Sequence, residues 1–151
     1  MKTLAKVLEN IYQADSVVVI SRGLSVRIAD SFARDLQFLD VKAVSLYQDN
    51  MQNYLSKLPE NTFLVGLSLS GETELIVATA LKAKREGKKV LVITGNYESR
   101  LAQQSDLSLF AYQKKASGKI PVDYNNMLPL ELIIHLLVQL YTEYKEQGRI
   151  V

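Results

Sequence analysis

The chain has 151 residues, 18 of them basic and 16 acidic, for a net charge of +2; 48% are hydrophobic and none is cysteine. That length suits one domain over residues 1–151, and the hydrophobic share excludes a largely disordered chain. The lack of cysteine excludes a disulfide framework, a thiolate nucleophile and cysteine-built metal centres, while the near-zero charge argues against nucleic-acid contact through a broad basic face.

Residues 1–15 hold a leading helix, about 3–14, placed either to dock on the body of the protein or to bind a partner. Lys2, Lys6 and Glu9 interrupt its apolar residues, so it has no signal-peptide apolar stretch. Ser16-Val17-Val18-Val19-Ile20 is a continuous β-branched run, the mark of a strand buried on both faces. Residues 25–38 follow as an amphipathic helix. Ala29, Phe32, Ala33 and Leu36 repeat at helical spacing, and Arg27, Asp30 and Arg34 occupy another face.

A second strand is expected over 41–46 and a short helix over 50–58, stopped by Pro59. The third strand, 62–69, leads into a helix over 72–86, for which Gly87 is a good residue just past the end. Strand four covers 89–94, a short helix lies near 99–104, and strand five covers 107–111. A polar loop, 113–126, precedes the final helix, 127–146. Its most hydrophobic stretch, 127–141, is interrupted by Glu131, His135 and Gln139, and is too short and polar to span a bilayer. A cytoplasmic protein with no membrane contact is expected.

Five strands separated by helices imply βαβ units. The fold class expected is α/β: a doubly wound, flavodoxin-like, five-stranded parallel sheet over 16–111 with helices on both faces. Such folds bind ligands beyond the carboxyl ends of the strands, where the strand order reverses. Function is therefore sought in the loops after Ile20, Ser68 and Ile93.

The most informative segment is Ser68-Leu69-Ser70-Gly71-Glu72-Thr73, which leaves a strand and opens a helix. Backbone N–H groups there converge at the positive end of the helix dipole, a geometry that binds an anion and above all a phosphate. Gly71 permits close approach of the backbone, and Ser68, Ser70 and Thr73 add uncharged donors. Helix capping alone needs one hydroxyl, not three. In the loop after the first strand, Ser21-Arg22-Gly23-Leu24-Ser25, Ser25 either caps the next helix or contacts the same ligand, and Arg22 either reaches an anion or is solvated. Thr94 and Ser99, in the third loop, read as a turn and a cap.

Other phosphate motifs fail on spacing. No G-x-G-x-x-G follows the first strand, and Gly118-Lys119 lacks the other elements of a P-loop. The series Ser68-x-Ser70-Gly71-x-Thr73, then Ala80, Lys84 and Gly87, then Val90-Leu91-Val92-Ile93-Thr94-Gly95, Ser99-x-Leu101-Ala102 and Asp106-Leu107 resembles the SIS (sugar isomerase) domain family. The match is colinear from about 17 to 110. The resemblance implies phosphosugar binding, with Ser68, Ser70, Gly71, Glu72 and Thr73 at the phosphate and Gly23 and Ser25 assisting. It implies no cofactor and no metal. Within the family the chain is most similar to the effector domain of RpiR/MurR-type transcriptional regulators. There the leading helix looks like a connector to a helix-turn-helix module, for which 151 residues leave no room. Two departures are Ser21, where the first loop usually begins with glycine, and Arg100, where proline is usual.

An aldose–ketose phosphate isomerase needs a carboxylate base and a second acid/base group, often histidine. Glu131, His135 and Gln139 form one polar stripe on the last helix, readable as a solvated face, a subunit interface or the lining of a sugar pocket. Glu131 and His135 are then the catalytic candidates, with Glu72 a third. The cluster Lys82, Lys84, Arg85, Lys88 and Lys89 reads as solvated charge at a helix C-terminus rather than as a nucleic-acid patch. The expected function is a phosphosugar sensor, a homodimer or tetramer acting on DNA only through an attached or partner helix-turn-helix module. The alternatives are a small phosphosugar isomerase, or a scaffold with a vestigial pocket.

Overall fold

The computed structural model of the protein describes residues 2–111 and 127–148; the loop expected over 113–126, with Gly118 and Lys119, lies outside them. In chain order the elements are α1 (Lys2–Gln13), β1 (Ser16–Ile20), a single 3-10 turn (Gly23–Ser25), α2 (Val26–Phe38), β2 (Ala43–Leu46) and α3 (Met51–Leu55). Then come β3 (Thr62–Leu67), α4 (Glu74–Arg85), β4 (Lys89–Thr94), α5 (Arg100–Gln103), β5 (Leu107–Phe110) and α6 (Met127–Gln147). No described helix is long and apolar enough to cross a membrane.

The five strands form one all-parallel sheet in the order β2-β1-β3-β4-β5. The order reverses between β1 and β3, so the loops leaving those strands flank a crevice at one end of the sheet. The Val/Ile runs take the interior places: Val17 to Ile20 and Val90 to Ile93 are fully buried. Period-two alternation sends their side chains to opposite faces. Val17 and Val19 join Phe32, Leu36, Ile134 and Leu137 in a core under α1, α2 and α6. Val18 and Ile20 join Met51, Leu55, Ile76 and Leu101 in a second core under α3, α4 and α5.

The helix α1 docks. Val7, Leu8 and Ile11 are buried in the first core, and Tyr12 meets Tyr144 of α6 edge to face. Ile11→Val is expected to cost about 1 kcal/mol in chemical denaturation. A helix held away from the body would show no loss.

Several boundaries differ from the expected ones, for local reasons. Strand β2 begins at Ala43 rather than residue 41, because Asp40 takes a left-handed conformation (φ 64°) and the Val41 amide closes α2 on Leu36 O at 3.0 Å. Helix α3 stops at Leu55, after which the amides of Lys57 and Leu58 bond three residues back in tight turns. Helix α4 starts two residues late, because Glu72 and Thr73 complete the preceding loop. It ends as expected at Gly87 (φ 79°), with Lys88 N donating to Ala83 O and Gly87 N to Lys84 O.

The basic cluster is not simply solvated. Lys88 is only 8% exposed and lies 3.6 Å from Glu86, and Lys82 Nζ donates to Gln52 O at 3.0 Å. Lys84 stands 3.9 Å from Asp106. The turn that ends α4 folds Lys88 back against the body of the protein, which leaves few free cations on this edge.

Candidate functional site

The loop from Ser68 to Thr73 sits at the carboxyl end of β3, against the reversal of strand order. The carbonyls of Leu69, Ser70 and Gly71 bond to residues 94–101, from the end of β4 into α5. Leu69 O accepts from Gly95 N at 2.9 Å and from Thr94 Oγ1 at 3.3 Å. Ser70 O accepts from Asn96 Nδ2, and Gly71 O from Leu101 N. With the carbonyls engaged on that side, the amides of Ser70, Thr73, Glu74 and Leu75 have no acceptor among the described residues. Those of Thr73, Glu74 and Leu75 stand at the start of α4, where the helix dipole is positive.

The hydroxyls shape this cradle from within. Ser68 Oγ, buried, accepts from Gly71 N at 3.1 Å and lies 3.1 Å from Thr73 Oγ1. Ser70 Oγ accepts from Glu72 N at 3.1 Å. Thr73 stands at the N-cap position of α4, yet its side chain makes no capping bond. One hydroxyl usually satisfies a helix start, and here three are present without closing it. The arrangement can hold a compact multivalent anion through N–H and O–H donors.

Gly71 is required twice over. Its φ of +68° is a left-handed conformation, and a Cβ added there would collide with Oγ and Cβ of Ser99 and lie 2.9 Å from Thr94 Oγ1. The close approach expected of Gly71 is thus to the neighbouring β4–α5 loop. Ser99 caps α5, accepting from Ala102 N at 3.2 Å, as its position in the sequence implied.

Other expected site residues are placed differently. Gly23 opens the 3-10 turn beside the crevice. Ser25 is buried and its Oγ donates to Arg22 O at 2.8 Å, so it does not cap α2 through its side chain. Arg22 is exposed, as the solvated reading has it, and its guanidinium is engaged within the chain: Nη1 lies 2.7 Å from Asp49 Oδ1 and donates to Tyr47 O. Glu72 sends its carboxylate to Arg100, with Oε1 accepting from Arg100 N at 3.0 Å and Oε2 from Nε at 2.5 Å. Hydrogen bonding to Arg100 holds the Glu72 carboxyl below the usual glutamate range. A carboxylate so stabilised in its charged form is a weak base.

A cleft of about 980 Å³ lies between the 3-10 turn, α2 and the start of α6, lined by Gly23, Leu24, Arg27, Arg34, Leu128 and Glu131. A hollow of about 240 Å³, also lined by Glu131, lies between Arg27 and His135. Glu131 and His135 therefore share one space near the first loop, while no residue of the 68–73 loop lines either hollow. Glu131 is half-buried and His135 and Gln139 are exposed, so the stripe is part lining and part surface.

The SIS domain family model matches residues 10–124. The chain belongs to the SIS domain family. Over 105 residues this SIS domain is 29% identical to the glutamine–fructose-6-phosphate aminotransferase [isomerizing] of Sulfurisphaera tokodaii, a match covering 70% of the chain and 18% of that enzyme. Its fold is shared by the sugar isomerase domain of the RpiR transcription factor from Sphaerobacter thermophilus. The TM-score is 0.80 at 21% identity, over 91% of this chain and 75% of that one. The Vibrio vulnificus NanR protein complexed with ManNAc-6P also matches, with a TM-score of 0.80 at 24% identity, over 96% of the SIS chain and 57% of the other.

Two participants escaped the sequence reading. Asn96 turns Ser70 O away from the cradle, and its only signal was its place just past the end of β4. Arg100 reaches Glu74 Oε1 at 2.6 Å as well as Glu72, although in the sequence it stood out only as a replacement for proline.

Proposed function

We propose that this SIS domain, read as one unit over residues 1–151, binds a sugar phosphate and acts as its sensor. The observation that carries this reading is the cradle at the start of α4, where amides without an acceptor among the described residues stand beside three hydroxyls. Ser68, Ser70, Gly71 and Thr73 hold the phosphate, together with the main-chain amides of Glu74 and Leu75. The sugar extends toward Gly23 and Ser25 and the cleft bounded by Arg27 and Glu131. Binding through N–H and O–H donors needs neither a metal nor a cofactor. The likeness to RpiR and NanR supports a role in transcription control in the cytoplasm, exerted through an attached or partner helix-turn-helix module. The exposed Leu128, Leu132 and Leu136 along α6 support a homodimer or tetramer.

A thermal-shift screen of hexose, aminosugar and N-acetylaminosugar phosphates tests the reading. A ligand at a hundred times its dissociation constant stabilises the fold by about 2.7 kcal/mol. No shift with any of them at millimolar concentration rejects the phosphate site.

A second reading, a phosphosugar isomerase, is favoured by one observation, the hollow that Glu131 and His135 share. Exchange of the C2 proton of a bound sugar phosphate with deuterated water would establish it. Tight binding without exchange leaves the sensor.

A further inference from the structure

We infer that Arg100 is a positioning residue which keeps two carboxylates from opposing the phosphate at the start of α4. The inference rests on the proposed phosphate site and adds to it a residue outside the loop. Glu72 lies within the loop, and Glu74 is the first residue of α4. Both are adjacent in sequence to amides that face the anion, and an acidic pair there would repel a phosphate dianion. An unpaired carboxylate at roughly 8 Å from a dianion weakens binding several-fold even in water, and salt reduces the effect without abolishing it.

Arg100 engages both acids at once. Its Nε and main-chain N–H hold the two oxygens of Glu72, its Nη2 lies 2.6 Å from Glu74 Oε1, and Nη2 also donates to Glu72 O at 3.3 Å. The guanidinium thus fixes the Glu72 side chain toward α5 and supplies one positive charge against two negative ones. The next amide, Leu101 N, binds Gly71 O, so the same short helix start also secures the loop backbone. Both carboxyls are held below the usual glutamate range by hydrogen bonds to Arg100. They are therefore charged at neutral pH, where a phosphate ligand is largely a dianion, and need a counter-charge there.

The test is a ¹H–¹⁵N titration of the full chain with inorganic phosphate, repeated with N-acetylmannosamine 6-phosphate. In the natural sequence, shifts are expected at the amides of residues 68–75. Arg100→Ala should weaken both ligands roughly tenfold, an effect of two unscreened carboxylates. Adding Glu72→Gln and Glu74→Gln to that variant should recover most of the loss. If Arg100→Ala binds as tightly as the natural sequence, the inference fails. It also fails if the neutralised triple variant stays as weak as Arg100→Ala, since Arg100 then acts only by holding the backbone. No binding by the natural sequence overturns the phosphate site itself, an outcome distinct from the other two.

Discussion

Gly71→Ala is expected to lower stability by about 3 kcal/mol, roughly 10 °C in melting temperature, and to abolish sugar-phosphate binding. Two costs combine. An alanine at φ +68° carries the left-handed penalty of about 1–2 kcal/mol, and its methyl group collides with the Ser99 side chain, which is fully buried and cannot step aside. To make room, the 68–73 loop must leave the β4–α5 segment. It then loses the bonds from Gly95 N, Asn96 Nδ2 and Leu101 N that turn its carbonyls away from the anion. A double-mutant cycle separates the terms. Ser99→Gly alone should cost only about a few tenths of a kcal/mol as a lost cap, and should stabilise the Gly71→Ala background, where it relieves the collision. Full additivity of the two substitutions would show that the contact is not what makes glycine necessary.

Ser70→Ala with Thr73→Ala is expected to weaken sugar-phosphate binding roughly 100-fold, measured calorimetrically, with the melting temperature nearly unchanged. Each hydroxyl lost from a charged ligand costs about 1.5 kcal/mol, and two such losses give that factor. The fold should tolerate the change. Ser70 is exposed, and Thr73 makes no capping bond that its removal would break. The loop loses the bonds from Glu72 N to Ser70 Oγ and between the Ser68 and Thr73 hydroxyls. Ser68 nevertheless keeps its bond from Gly71 N, and the carbonyls keep theirs from Gly95, Asn96 and Leu101. Unchanged affinity would mean that the anion binds elsewhere. The cleft beside Arg27 and Arg34 is then the next place to look.

Much of the fold was legible because burial leaves a periodic trace. A run such as Val17-Val18-Val19-Ile20 has few alternatives to an interior parallel strand, and Gly87 after a helical pattern has few to a helix end. Boundaries were less legible. The expected start of β2 ignored Asp40, whose left-handed turn draws Val41 into the end of α2. The loop proposed to bind phosphate was also legible as a loop of hydroxyls, since these and its glycine are contiguous. Its supports were not, because Asn96 and Arg100 lie more than twenty residues away along the chain. The same separation hid the partners of Arg22 and Glu72. Sequence shows a charged side chain but not which distant group neutralises it.

The opening composition, 151 residues at +2 without cysteine, left a globular, cysteine-free protein and argued against a broad basic face. Local pattern then determined the strands, the helices and the loop of hydroxyls, because each depends on residues within a few positions of one another. Only the tertiary structure decided which way that loop faces. Its amides are turned outward because Gly95, Asn96 and Leu101 bind its carbonyls from behind, and Gly71 must lack a side chain because Ser99 fills the space. Those contacts join residues 26 to 30 positions apart through the register of β3 against β4, a relation that no local pattern in the chain encodes.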